Sequence, residues 1–285
     1  EPIVTFADSL LTLTGPLGQV QLTGEDVDAT PASFTGFLGN PGIAFNEQAA
    51  STLPPVLLSG GISLTRTAVT GSGGPIVQVS TNATIGGSLL VLVDSSLDAR
   101  GGSVLSITGG SLTGTSPAAP LIFADPSSIT ASSVVSMASG TVLSLAGSLF
   151  RAEDTTLYTT SSFMILTGAQ VTGTGTTDPF VSFSRSLAGS NVVQFDGSFL
   201  KMDPTSTSLS LAGPLLSAAG TTMSASDDFI KASLGSVALS STGSGSLTSF
   251  TDSTLAVTGS FLDLVKPGAT VTLGGFCFWA ASSLL

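Results

Sequence analysis

Carboxylates are the side chains of this sequence most able to do chemistry, and they occur in three short clusters. The clusters are the densest group, Glu25, Asp26 and Asp28, the pair Glu153 and Asp154, and the pair Asp227 and Asp228. Paired carboxylates can hydrolyse glycosides, and a calcium site needs about six or more oxygen ligands. The spacing in the densest group matches no complete calcium loop. We therefore interpret all three clusters as solvated corners.

The other residues suited to catalysis are scarce. The chain has no His, one Cys, one Trp and one Tyr among 285 residues, and 16 Phe. An enzyme that cleaves polysaccharides on a β-helix needs aligned Asp and Arg or Lys, often with aromatic side chains on which the sugar stacks. Tyr158 and Trp279 are the only Tyr and Trp of the sequence, so such a stacking surface is poorly supplied. We predict no enzyme and no catalytic, cofactor-binding or metal-binding residue, with such a polysaccharide-cleaving enzyme as the remote alternative.

Composition excludes several classes of protein. Seven basic and 18 acidic residues give a net charge of −11, which cannot form a surface that follows phosphates, so we expect no nucleic-acid partner. Charged residues are 9% and hydrophobic residues 42%, the opposite of a disordered chain. No apolar run reaches the ~18–20 residues of a membrane helix. The start at Glu1-Pro2-Ile3 suits a chain whose signal peptide has been removed, and predicts an extracellular or cell-surface protein.

Pairs of large apolar residues recur along the chain, mostly about 13–18 residues apart, with a longer interval after Val192. The pairs are Ile76-Val77, Leu89-Leu90, Val104-Leu105, Leu121-Ile122, Val134-Val135, Leu149-Phe150, Phe163-Met164, Phe180-Val181, Val192-Val193, Leu215-Leu216, Phe229-Ile230, Leu247-Thr248, Phe261-Leu262 and Phe276-Cys277. Short alternating runs follow each pair and end in turns of Asp, Ser, Thr and Gly, which favour changes of chain direction. Strong helix formers are scarce.

This pattern predicts an all-β protein with almost no helix, a parallel β-solenoid of short strands. A multi-domain β-sandwich is the rival, but it needs longer strands and a linker. Two units per coil give coils of about 28–35 residues with four strands, and about nine coils; three-strand coils are the alternative. We predict one domain over residues 1–285, with irregular N-terminal coils at 1–75 and regular repeats at 76–285.

In the style of its repeats the whole chain resembles secreted bacterial β-solenoid surface proteins, namely haemagglutinin-type adhesins and autotransporter passengers. No signature motif of these families accompanies the repeats. The resemblance implies an extracellular role without catalysis and carries over no individual functional residue.

Both ends of the sequence read like repeat units, and neither contains a polar cap. Uncapped coils present unpaired backbone groups to a neighbour, and head-to-tail contact between unlike ends builds an open polymer. We expect a structural subunit of an extracellular filament, sheath or appendage whose partner is itself. An adhesin stalk or passenger that contacts a cell surface or matrix is the alternative. The candidate interface residues are Ile3, Val4, Phe6, Leu10, Leu11, Phe276, Cys277, Phe278, Trp279, Leu284 and Leu285.

Cys277 lies between Phe276 and Phe278 and next to Trp279. A free Cys behaves as a small apolar side chain and is among the most buried residue types. We interpret Cys277 as a buried apolar residue, and a disulfide between subunits is the alternative.

Overall fold

The computed structural model describes residues 61–71, 74–175, 178–186, 189–203, 206–232, 237–264 and 269–283, and the backbone of strands at 4–7, 10–13, 20–22, 43–45 and 56–58. All regular structure in these residues is β-strand, and every strand pair is parallel. The prediction of an all-β parallel solenoid is confirmed.

Each coil contributes one strand, or one part of a long strand, to each of four faces. Face 1 contains β1 (Val4–Ala7), β6 (Ile62–Thr65), the first parts of β10 (Leu90–Ile107) and β12 (Ile122–Met137), β14 (Phe150–Glu153), β18 (Val181–Ser184), β22 (Leu216–Ala219), β26 (Thr248–Thr251) and β30 (Phe278–Ala281). Face 2 contains β2 (Leu10–Leu13), β7 (Ala68–Gly71), the middle parts of β10 and β12, β15 (Thr156–Thr159), β19 (Asn191–Phe195), β23 (Thr221–Ala225) and β27 (Thr254–Val257).

The remaining two faces complete the coil. Face 3 contains β3 (Val20–Leu22), β4 (Ile43–Phe45), β8 (Val77–Val79), the last parts of β10 and β12, β16 (Met164–Thr167), β20 (Leu200–Asp203), β24 (Ile230–Ala232) and β28 (Leu262–Leu264). Face 4 is an eight-stranded sheet of β5 (Val56–Leu58), β9 (Ala83–Ile85), β11 (Ser111–Gly114), β13 (Val142–Leu145), β17 (Gln170–Gly173), β21 (Thr207–Leu211), β25 (Val237–Ser241) and β29 (Ala269–Leu273).

The coil length is as predicted, but the number of coils is smaller. Paired residues are separated by 28 positions between Ile62 and Leu90 and by 35 between Val181 and Leu216. The four-strand coils from β6 to β29 make about seven turns, so the expectation of nine is too high. That expectation assumed that residues 1–61 wind at the same pitch as the rest.

The paired apolar residues mark corners, because two neighbouring side chains cannot both point inward in a regular strand. Leu89 and Leu90 are both buried at the corner between faces 4 and 1, and Phe163 and Met164 at the corner between faces 2 and 3. Two predicted pairs were misplaced. Val192 of the predicted pair Val192-Val193 points outward in the middle of β19, and the pair at the corner between faces 2 and 3 of that coil is Phe199 and Leu200. The second predicted pair, Phe276-Cys277, is one residue too early, because the pair at the corner between faces 4 and 1 is Cys277 and Phe278.

Inside the coils, like residues stack along the axis. The rings of Phe163, Phe199, Phe229 and Phe261 form a continuous column, with centroid separations of 5.2, 5.0 and 5.2 Å and interplanar angles of 17°, 11° and 17°. The first three are fully buried. Burial of apolar side chains, at about 1.5–3 kcal/mol each before entropy costs, is the main source of stability.

A column of polar side chains, here called the corner ladder, lies at the corner between faces 1 and 2. Its members are Thr67, Ser95, Ser127, Thr155, Asn191, Thr221, Ser253 and Ser283. The Thr221 N–H donates to Ser253 Oγ at 3.1 Å, and the Ser253 N–H donates to Ser283 Oγ at 3.1 Å. The Ser253 hydroxyl donates to the Thr251 carbonyl at 2.8 Å. The ladder therefore satisfies backbone groups where the coil bends between faces 1 and 2.

Candidate functional site

The last described coil, β26 to β29 with β30, leaves its apolar interior open. Phe261 and Leu262 are only partly buried, whereas Phe229 and Ile230, their counterparts one coil earlier, are buried. Leu264 is 41% exposed although its register partner Ala232 points into the core. Because the register is unchanged, the difference comes from the lack of a further rung over β28 in the described residues.

A depression of about 400 Å³ marks this open interior. Its lining is entirely apolar and consists of Leu255, Val257, Phe261 and Phe278. The Phe261 ring contacts Phe229 and Phe278, both at a centroid separation of 5.2 Å, and the Phe column ends at Phe261 in the described residues. Here the axial core of the solenoid reaches the surface of the chain.

Free strand edges surround the depression. In the described structure β30, β27, β28 and β29 each pair with one strand only, the corresponding strand of the preceding coil. At the opposite end β1, β2, β3 and β5 also pair on one side only. As far as the described residues show, each end thus has one strand edge without a partner on each of the four faces, with N–H and C=O groups that a further parallel strand can pair.

The predicted interface residues of the C-terminal segment divide into two sets. Cys277 and Phe278 are partly buried and pack against the core, whereas Phe276 and Trp279 point outward and are 75% and 48% exposed. Val4, Phe6, Leu10 and Leu11 lie in the free-edged strands β1 and β2, whose side chains are outside the described residues. Ile3, Leu284 and Leu285 are also outside them.

Sequence reasoning missed most of the residues that line the open end. The missed residues are Leu255, Val257, Phe261, Leu262, Leu264, Val271 and Leu273. They come from the whole last coil, whereas the prediction took only the terminal segments of the chain. The repeat contained a signal, because in the described residues the inward positions of β27, β28 and β29 have no counterpart one repeat later.

Cys277 is a free, partly buried thiol at the corner between faces 4 and 1. Burial raises the pKa of this thiol, so it stays protonated at neutral pH. Its backbone carbonyl accepts the Thr248 hydroxyl at 3.1 Å. The side chain therefore behaves as a small apolar residue of the open end.

A charged cluster flanks the open end on face 3. Lys231 Nζ lies 2.8 Å from Asp227 Oδ2 and 3.3 Å from Asp228 Oδ2. Asp228 Oδ1 accepts the Ser260 N–H at 2.8 Å, which is the main reason that the pKa of Asp228 is lowered. The pKa of Asp263 is raised, first by desolvation and then by the charge of Asp228. Asp228 is buried, so its interpretation as part of a solvated corner is wrong.

The other carboxylate clusters offer little for catalysis. Asp154 lies beside a surface depression of about 530 Å³ along the corner between faces 1 and 2, and its Oδ1 accepts the Ser186 N–H at 3.0 Å. The cluster of Glu25, Asp26 and Asp28 lies outside the described residues. Among the residues with described side chains, no group of three or more acidic, Cys or His side chains is placed to hold a metal ion.

The part of the chain with assigned structure contains no helix of the length and hydrophobicity needed to cross a membrane. Comparisons with protein-family models, with curated protein sequences and with solved structures found no match.

Proposed function

We propose that this chain is the structural subunit of an extracellular filament, sheath or appendage that polymerises head to tail through the ends of its solenoid. One observation carries the proposal: the apolar interior and four strand edges of the last described coil are uncovered. At the other end, β1, β2, β3 and β5 each pair on one side only within the described strands, and they belong to the same four faces. The proposal assigns no catalytic role.

The two ends suit each other chemically. Edges of parallel strands present N–H and C=O groups at the same repeat, so a strand from a second copy can pair with each free edge. Four edges of three to five residues allow about a dozen main-chain hydrogen bonds. A covering coil would also bury the depression beside Phe261, and that apolar burial is the main driving force for association.

The test is a charge placed on the open end. Leu264 and Val192 are both large apolar residues, exposed at 41% and 46%, but Leu264 occupies an inward position of the last coil and Val192 an outward position in mid-stack. We expect Leu264→Lys to raise the critical concentration for assembly about 100-fold or more, because Lys would be desolvated at the junction. The matched control Val192→Lys should assemble like the wild type.

Electron microscopy and sedimentation of the purified full chain measure this effect. A wild-type chain that stays monomeric at high concentration would contradict the proposal and leave the adhesin stalk as the better function. Equal assembly of the Leu264→Lys variant and the wild type would also contradict it.

A further inference from the structure

Face 4 differs from the rest of the surface in charge. None of its eight strands contains a charged residue. The other faces carry charges at outward positions, including Asp98 on face 2, Arg151 on face 1 and Lys201 on face 3. In a chain of net charge −11, this sheet is a neutral surface.

The outward positions of face 4 form a continuous column of hydroxyls. In register from coil to coil, the column consists of Thr84, Thr113, Ser144, Thr172, Ser210, Ser240 and Thr272. The neighbouring column on these strands contains Ser111, Val142, Gln170, Ser208, Ala238 and Thr270. Apart from Gln170 these side chains are short, so the sheet presents a shallow surface.

We propose that face 4 is a lateral interface on which a second copy of this chain packs face to face. A contact through any other face desolvates charged side chains, such as Arg151 on face 1, Asp98 on face 2 and Lys201 on face 3. A contact between the strands of face 4 and a second copy of the same face desolvates no charged side chain, because none of these strands contains one. Charge thus favours a second copy at this face.

The size of the face meets the requirement for a specific contact. Eight strands about 4.8 Å apart, with an average of about four residues at about 3.3 Å each, give a flat area of about 520 Å² per copy. Two such faces bury about 1,000 Å², which matches the lower limit of roughly 1,000 Å² expected of a biological interface.

The chemistry of the column is self-complementary. A hydroxyl both donates and accepts, so a Ser or Thr column can pair with a second one in either direction. The repeat of about 4.8 Å is the same in both copies, so a match at one rung is maintained along the sheet. A two-fold axis that lies in the interface plane, parallel to the two sheets, makes the contact isologous and closes it at two chains.

The experiment separates this contact from head-to-tail assembly by using Leu264→Lys as the background. In that background we expect a particle of twice the chain mass by light scattering. Adding Thr172→Lys with Ser210→Lys, two exposed positions of the hydroxyl column, should weaken the dimer at least tenfold. The matched control adds Thr156→Lys with Thr222→Lys at exposed positions of face 2 and should leave the dimer unchanged.

A second matched pair covers the case in which a double variant does not fold. Gln170→Lys on face 4 and Gln194→Lys on face 2 each replace one long exposed side chain with another. We expect Gln170→Lys alone to weaken the dimer. A monomer in the Leu264→Lys background, or an equal response to both members of a pair, would overturn the lateral contact without bearing on whether the wild type forms filaments.

Discussion

The coil of β22 to β25 and the coil of β26 to β29 have the same register and similar residues, yet their interiors differ in burial. Phe229, Ile230 and Leu239 are buried in the first, whereas Phe261, Leu262 and Val271 are partly exposed in the second. The strand alternation within a coil decides only which side chains point inward. Burial itself comes from the coils above and below, as in other repeat architectures where each unit contacts only its neighbours.

The largest expected effect concerns the Phe column. Phe229→Ala should cost about 3–5 kcal/mol of unfolding free energy, because the ring is packed between Phe199 and Phe261 and leaves a cavity. Phe261→Ala should cost clearly less in a dilute, unassembled chain, since one side of its ring is open. Urea unfolding of both variants measures the difference, and equal losses would show that the last coil is covered.

A smaller effect is expected in the corner ladder, where Ser253 and Ser283 occupy neighbouring rungs. Ser253→Ala should cost about 1–3 kcal/mol, because the buried Thr221 N–H and the hydroxyl's backbone acceptors lose a partner. Ser283→Ala should cost less than about 1 kcal/mol, because water can reach this half-buried rung. Thermal unfolding at one protein concentration compares the two variants. A larger loss for Ser283→Ala than for Ser253→Ala would contradict the expectation that the last rung contributes less.

The carboxylates of face 3 should respond to pH in opposite directions. The lowered pKa of Asp228 stabilises the fold above its unfolded-state pKa of about 3.9, and this contribution is lost as the pH falls through the lower folded-state value. The raised pKa of Asp263 has the reverse sign, so its charge opposes folding at neutral pH and the penalty disappears in acid. Unfolding midpoints at pH 7 should therefore fall for Asp228→Asn and rise for Asp263→Asn. Both changes should shrink near pH 3, and changes independent of pH would contradict the assignment.

The smallest effect is expected for the ion pair between Arg185 and Asp252. Its atoms Arg185 Nη2 and Asp252 Oδ2 lie 3.6 Å apart, and both side chains are about half exposed. Arg185→Ala should change the unfolding free energy by less than about 1 kcal/mol, and the change should disappear in molar salt. A loss as large as that of Ser253→Ala would mean that this pair, and not the core, ties the last coil to the stack.

Much of the fold could be predicted from sequence because the pattern is local. Inward alternation and the apolar pairs at corners, such as Leu89 and Leu90, are visible within a few residues. Val192 and Val193 misled because an apolar pair in the middle of a strand looks the same as one at a corner. Phe199 stacks on Phe163 of the preceding coil, and this contact places the corner at Phe199 and not at Val192.

Sequence reasoning expected uncapped ends, but it did not identify most of the residues that line the open end or the burial of Asp228, because both depend on contacts between coils. Phe261-Leu262 and Phe229-Ile230 are nearly the same in sequence, and only the presence of a following rung distinguishes them. Asp228 and Asp154 each follow another acidic residue, and each accepts an N–H from a residue 32 positions later, Ser260 and Ser186, yet only Asp228 is buried. A contact between residues 32 positions apart can be predicted only when the number of residues in that coil is known.

The corners vary in length while the strands keep their register. The link between faces 4 and 1 is short from Ile85 to Leu90 but longer from Gly114 to Ile122, where Pro117 and Ala118 are exposed. Doubling the length of a flexible loop costs only about 0.6 kcal/mol in closure entropy. A foreign peptide grafted at Pro117 would therefore project sideways from an undisturbed scaffold, which makes this corner a natural mount for displayed epitopes or cargo.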